Sequence, residues 1–272
     1  MNHISVQDAS RELRADIIEM IYLAKDGHPG PCFSAVDIIA ALYFGGVLNV
    51  DPQRPDWEDR DRFVLSKGHA CPALYAALSR RGFFPLEELK TLRAVNSRLQ
   101  GHPDMKKTPG VDAVTGALGN GLSMGLGLAI GLRKQGKDGK VYALVGDGEF
   151  QEGVIWETLM AAKHHKAGNL IVLMDHNGFQ SGGTIEELSG LEPILPKIEA
   201  FGWHCSEADG HDHEEILKRI GDAQNDPRPS FILCKTKKGK GLPFMEGDNS
   251  WHKKVPSQAQ YEQAMSLLRK EQ

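Results

Sequence analysis

Cysteine is scarce in this 272-residue chain: Cys32, Cys71, Cys205 and Cys234, none of them in a CxxC pair. That spacing excludes a zinc knuckle, and a chain of this length does not need disulfides to hold a core. The four thiols read as reduced side chains of a cytoplasmic protein. Long apolar runs are absent too. The longest, near 124–132, is short and interrupted by glycine, which excludes a membrane span. The first residues, MNHISVQDASRELRADI, are charged and helical in pattern, unlike a signal peptide. There is no basic excess either. Lys and Arg total 32 against 36 Asp and Glu, a net charge of −4, so nothing points to nucleic acid or an anionic membrane. No repeat, low-complexity tract or linker divides the sequence, and residues 1–272 are expected to form one domain.

The sequence does contain a regular alternation of apolar strands and amphipathic helices. Helices are expected over 5–25, 34–44, 72–81, 86–97, 120–135, 152–166, near 193–201, 213–224 and 258–270. Strands are expected over 63–66, 141–146, 169–175, from Trp203, and over 230–236. Gly27, Pro29, Gly30 and Pro31 are expected to break the chain before the second helix. Residues 100–116 read as a long loop of the kind that carries function, and 237–256 as a flexible tail. This order implies an α/β fold, a parallel sheet with helices on both faces.

Several patterns mislead. GLRKQGK (131–137) approaches a phosphate-binding loop, but Asp138 stands where Ser or Thr is needed and no strand leads into it. The glycines from Gly116 to Gly131 never take GxGxxG spacing, so a dinucleotide site is rejected. Gly121, Gly125, Gly127 and Gly131 read instead as a helix packed closely on a neighbour or on a subunit. His211 and His213 belong to a turn in which Asp212 caps the next helix. His164 and His165 end a helix, where imidazolium suits the dipole.

One constellation carries chemistry. Strand 141–146 delivers Asp147 to the carboxyl edge of the sheet, where ligands of open α/β sheets bind. Gly148 permits a close approach, and a helix opening shortly after aims its N-terminus at anionic oxygens. The next strand delivers Asn177 to the same edge. One carboxylate and one carboxamide are too few for a protein-only metal cage, but they suit magnesium sharing its octahedral shell with a backbone carbonyl, diphosphate oxygens and water.

GDGEFQEGVIWETLMAAKHHKAGNLIVLMDHNGFQ (146–180) resembles the thiamine diphosphate motif. DGHPGP (26–31), LSKGHA (65–70), GHPD (101–104), TGALGNG (115–121), DGHD (209–212), CKTKKGKG (234–241) and WHKKVP (251–256) resemble, in order, the N-terminal domain of transketolase. The resemblance implies that Asp147, Asn177 and the main-chain oxygen of Phe179 hold Mg2+ or Ca2+. It places His69, Gly148 and His252 on the diphosphate side, and Gly116, Ala117 and Leu118 along the thiamine diphosphate, with Glu152 also near the cofactor. His28, His69, His102 and His252 would surround the reacting carbons. Glu152 and Glu157 would belong to a relay between two active sites.

Ala117, Asn120, His176 and Lys253 depart from the residues usual in the family. A single-chain transketolase is about twice this length, so the resemblance implies a companion C-terminal subunit, an α2β2 assembly, and sugar substrates. The motif shared with α subunits of 2-oxo acid dehydrogenases and with deoxyxylulose-phosphate synthase keeps those classes as alternatives, together with a non-catalytic cofactor-binding protein. DGHPGP, SKGHA and GHPD favour the transketolase side over the oxo-acid class.

Overall fold

The computed structural model describes residues 4–269. At its centre lies one five-stranded, wholly parallel sheet: β1 (Arg62–Leu65), β2 (Val141–Gly146), β3 (Leu170–His176), β4 (His204–Asp209) and β5 (Ser230–Lys235), in the order β1-β2-β3-β5-β4. The inner strands are apolar over most of their length because both of their faces are covered. Tyr142, Leu144, Ile171, Leu173 and Ile232 point into one core. Val141, Ala143, Val145, Val172, Met174 and Phe231 point into the other.

Helices α1 (Val6–Ala24), α2 (Pro29–Phe44), α3 (Cys71–Arg80), α8 (His213–Asn225) and α9 (Gln258–Leu268) close the first face. On the second lie α4 (Asn120–Lys134), α5 (Gly153–His164) and α7 (Ile194–Ala200). The α/β class with helices on both faces is therefore as expected. Local chemistry fixes several ends. Ser5 accepts from Asp8 N at α1, Asp212 accepts from Glu214 N and Glu215 N at α8, and Ser257 with Gln260 forms a capping box at α9. Residue 270, expected to end the last helix, lies outside the described residues.

The structure corrects three expectations. The glycines and prolines of 27–31 do not all break the chain, because α2 already begins at Pro29. Pro29 and Pro31 occupy its first turn, where a missing N–H costs nothing. The helix expected over 86–97 is only a 3-10 turn, Leu86–Thr91. Beyond it Arg93 and Asn96 take left-handed φ of 60° and 66°, and Arg93 N donates to Leu99 O at 2.7 Å. That fold-back buries Leu92 and Leu99, so tertiary burial overrides helical spacing.

The helix expected over 152–166 is α5, and a separate 3-10 turn, Gly148–Gln151, precedes it. A short α6 (Ile185–Ser189) also forms in the loop after β3. Finally, 237–256 is not a loose tail. Leu242, Met245 and Trp251 are buried in the first core, and Asn249–His252 forms a 3-10 turn.

Candidate functional site

A cavity of about 240 Å³ opens at the carboxyl edge of β1, β2 and β3. Strand pairing aligns Gly146 with Asp175, so the loops that follow β2 and β3 leave side by side. Asp147 is only 2% exposed. Its Oδ1 accepts from Gly148 N at 2.8 Å and its Oδ2 from Gly178 N at 2.6 Å, which ties the two loops through one carboxylate. Asn177 Nδ2 donates to Ser34 Oγ at 3.3 Å, and Asn177 Oδ1 accepts from Phe179 N at 3.1 Å. Asp147, Asn177 and Phe179 all line the cavity.

Among the described residues no group of three or more His, Cys, Asp and Glu is placed to hold a metal. A cation here would therefore need amide, main-chain and ligand oxygens beside one carboxylate, the donor set that magnesium shares with a diphosphate. The close approach at Gly148 is to the neighbouring loop, since a Cβ there would stand 2.7 Å from Gln180 Cβ.

Two buried ammonium groups face this edge. Lys67 is paired with the fully buried Asp175, which also accepts from Ser34 Oγ at 2.6 Å and from the Thr236 hydroxyl. Burial works against the ionised Asp175, but Lys67 and the hydroxyls outweigh it and hold its pKa below the carboxylate range. Lys238 Nζ donates to Asn249 Oδ1 at 2.6 Å and lies 3.1 Å from His252 Nδ1. Burial, with Lys67 nearby, lowers Lys238 to about 8 against the pull of Asp147 and Asp175.

Beside Lys238 stands a histidine triangle. His28 and His69 have ring centroids 5.3 Å apart, and His252 lies 5.5 Å from each. His102 sits at the rim, where a Cβ on Gly116 would press its ring at 3.3 Å. Burial and then Arg93 and Lys253 lower His28 to about 4. Burial and then Lys238 lower His252 to about 3. Burial, followed by Lys67 and the neighbouring rings, also lowers His69 well below its usual value, and burial lowers His102. The four rings are thus neutral near pH 7, each with one nitrogen to donate and one to accept.

The structure thus brings His28, His69, His102, Gly116, Leu118, Asp147, Gly148, Asn177, Phe179 and His252 to one cavity. Ala117, Glu152 and Glu157 do not line it. Glu152 stands at the N-cap of α5, and Glu157 lies one turn along on an exposed face. Sequence reasoning missed Lys67, Lys238 and Glu149. Glu149 is 2% exposed and clamps two loops to the end of β2, accepting from the Ser66 hydroxyl, from Gly119 N at 2.7 Å and from Gly146 N at 3.1 Å. Burial raises its carboxyl above the usual range against those bonds. For Lys238, the signal available was its place in a run of lysines and glycines just after β5, which reads as a solvated surface.

The same arrangement of chain occurs in known proteins. A 6-deoxy-6-sulfo-D-fructose transketolase subunit of Clostridium sp. (strain MSTE9) is 40% identical over 269 residues, 98% of either chain. An apulose-4-phosphate transketolase subunit of Phocaeicola vulgatus is 40% identical over 257 residues, 94% of this chain and 91% of that one. The transketolase of Campylobacter jejuni superposes with a TM-score of 0.91 at 33% identity, covering 97% of this chain but only 42% of the solved one. The family model for the transketolase thiamine diphosphate binding domain matches residues 3–266, and the chain belongs to that family.

Proposed function

We propose that the chain is the N-terminal subunit of a two-subunit transketolase, moving a two-carbon ketol unit from a ketose phosphate, or a related modified sugar, to an aldose. The observation that carries this reading is the convergence of Asp147, Asn177 and Phe179 with Lys238 and four neutral imidazoles on one cavity. Asp147, Asn177 and the Phe179 main-chain oxygen would hold Mg2+ or Ca2+. Lys238, His69, His252 and Gly148 would face the diphosphate, with Gly116, Ala117 and Leu118 alongside the rings. Thiamine diphosphate bound there supplies the electron sink that lets a ketose carbon–carbon bond break. His28, His69, His102 and His252 hold the donor hydroxyls and pass protons at their ring nitrogens.

Support for a companion comes from two sides. Relatives matched over nearly their whole length are named as transketolase subunits. The outer face of α4 and α5 also leaves Met124 42% and Met160 59% exposed, with open space at Gly127 and Gly131. Glu152 and Glu157 lie on that side of α5, where a relay toward a second site in an α2β2 assembly would run. Among the described residues no helix is long and apolar enough to cross a membrane. All four cysteines are free, which supports a reducing cytoplasm.

The test is ketol transfer from xylulose 5-phosphate to ribose 5-phosphate with thiamine diphosphate and magnesium. It compares the chain alone with the chain co-purified with its companion from the native cell. Activity in the mixture only is the expected result. Full activity of the chain alone would refute the split enzyme.

A further inference from the structure

The DGHD turn does more than cap α8. On α2, outside the cavity, Asp37 is 4% exposed and gathers groups from three elements. From α1, Arg14 donates to it twice, at 3.0 and 2.7 Å, and the Ser10 hydroxyl donates once. From the turn before α8, His211 Nδ1 lies 2.6 Å away and, from the first residue of α8, His213 Nε2 lies 3.1 Å away. Burial works against the charge on Asp37, but His211, His213 and Arg14 outweigh it, so the carboxylate is firmly ionised.

Two of these partners reach past Asp37 to the same stretch of chain. Lys237 N–H donates to His211 Nε2 at 2.8 Å. Arg14 Nε donates to Lys240 O at 2.9 Å. Because Nε2 accepts, the His211 proton sits on Nδ1, facing Asp37. Gly241, at φ +105°, lets the backbone lie against Arg14, since a Cβ there would come within 2.9 Å of Nε. Between the two anchors Gly239 N donates to Gly30 O at 3.2 Å, at the start of α2. Lys238 is the residue these three bonds bracket, and of Lys237, Lys238 and Lys240 it is the one that lines the cavity.

We propose that Asp37, acting through His211 and Arg14, is a positioning carboxylate that sets Lys238 against the cofactor's diphosphate from outside the cavity. The proposal rests on the reading that this cavity takes thiamine diphosphate. It treats the geometry of residues 237–241 as part of the binding site although none of the anchoring side chains touches the ligand.

His213 supplies the control, because it also bonds Asp37 but makes no contact with 237–241 among the hydrogen bonds of the described residues. The experiment isolates His211→Ala, His213→Ala and His211→Gln from the native cell with any companion. It measures thiamine diphosphate binding by calorimetry with Mg2+, thermal melting, and tryptic cleavage after Lys237 and Lys240. His211→Ala should weaken binding about tenfold, the value of one net hydrogen bond, and speed cleavage. His213→Ala should lower the melting temperature comparably and leave binding and cleavage unchanged. His211→Gln, which keeps an acceptor near the Nε2 position, should recover most of the affinity. Equal effects of the two alanine variants, or wild-type affinity in His211→Ala, would overturn the positioning role. Failure of the wild-type protein to bind thiamine diphosphate would overturn the cofactor reading and this proposal with it.

Discussion

Lys238 Nζ and His252 Nδ1 stand 3.1 Å apart inside the cavity, so the ammonium donates and the imidazole accepts. The pair explains how the pocket keeps a cation to which, among the described residues, no carboxylate is bonded. Asn249 and His252 fix the ammonium's direction, while Asp147 and Asp175 oppose the penalty of burial.

Replacing Lys238 by Met keeps the stem and removes the charge. A charge-assisted contact contributes about 1.5–3 kcal/mol, so thiamine diphosphate affinity should fall about ten- to a hundredfold. Calorimetric titration checks this. Sugar KM should change far less, since the loss falls on the cofactor.

The Lys67–Asp175 pair is a buried ion pair beneath the site. Lys67→Met strands a carboxylate that has no exposure and should cost about 3–5 kcal/mol of stability. Urea unfolding at pH 7 measures it. The double variant Lys67→Met with Asp175→Leu should recover part of the loss, because no uncompensated charge then remains.

Histidine ionisation gives a pH signature in the cofactor-free protein. The unfolded chain takes up each proton near 6.5, whereas folded His28 waits until about 4 and His252 until about 3. Between those values the unfolded state binds more protons, so stability falls as pH drops from 6.5 through 4 to 3. NMR titration of the ring protons should show these two histidines neutral at pH 6. An inflection near 6.5 for either would contradict the burial and cation effects that lower them.

Much of the fold was legible because the inner strands are buried on both faces and read as unbroken apolar runs. β2 matches the expected 141–146 at both ends, and β3 is displaced by a single residue. The same logic places Asp147 and Asn177 at the sheet edge where the cavity opens, since strand ends in a parallel sheet define an edge. Residues 86–97 read as a helix because their apolar spacing serves a fold-back that buries Leu92 and Leu99, and spacing alone does not distinguish the two. The 237–256 segment reads as a tail because lysine and glycine usually mark solvent. Here Lys238 is drawn inward by Asn249 and His252, and Met245 and Trp251 further along are buried in the core. Glu149 looks like a helix-surface acid, because nothing local reveals that Ser66 and Gly119 converge on it from distant loops.

Metal-dependent cofactor binding through Asp147 is the claim on which the rest depends. The deciding measurement is calorimetric titration of thiamine diphosphate into the protein isolated with any companion, with Mg2+, with EDTA, and as Asp147→Asn. The expected result is binding with Mg2+, its loss in EDTA, and at least about a hundredfold weakening in Asp147→Asn, as when a metal site loses its one carboxylate. Undiminished binding in EDTA or by Asp147→Asn would contradict the claim.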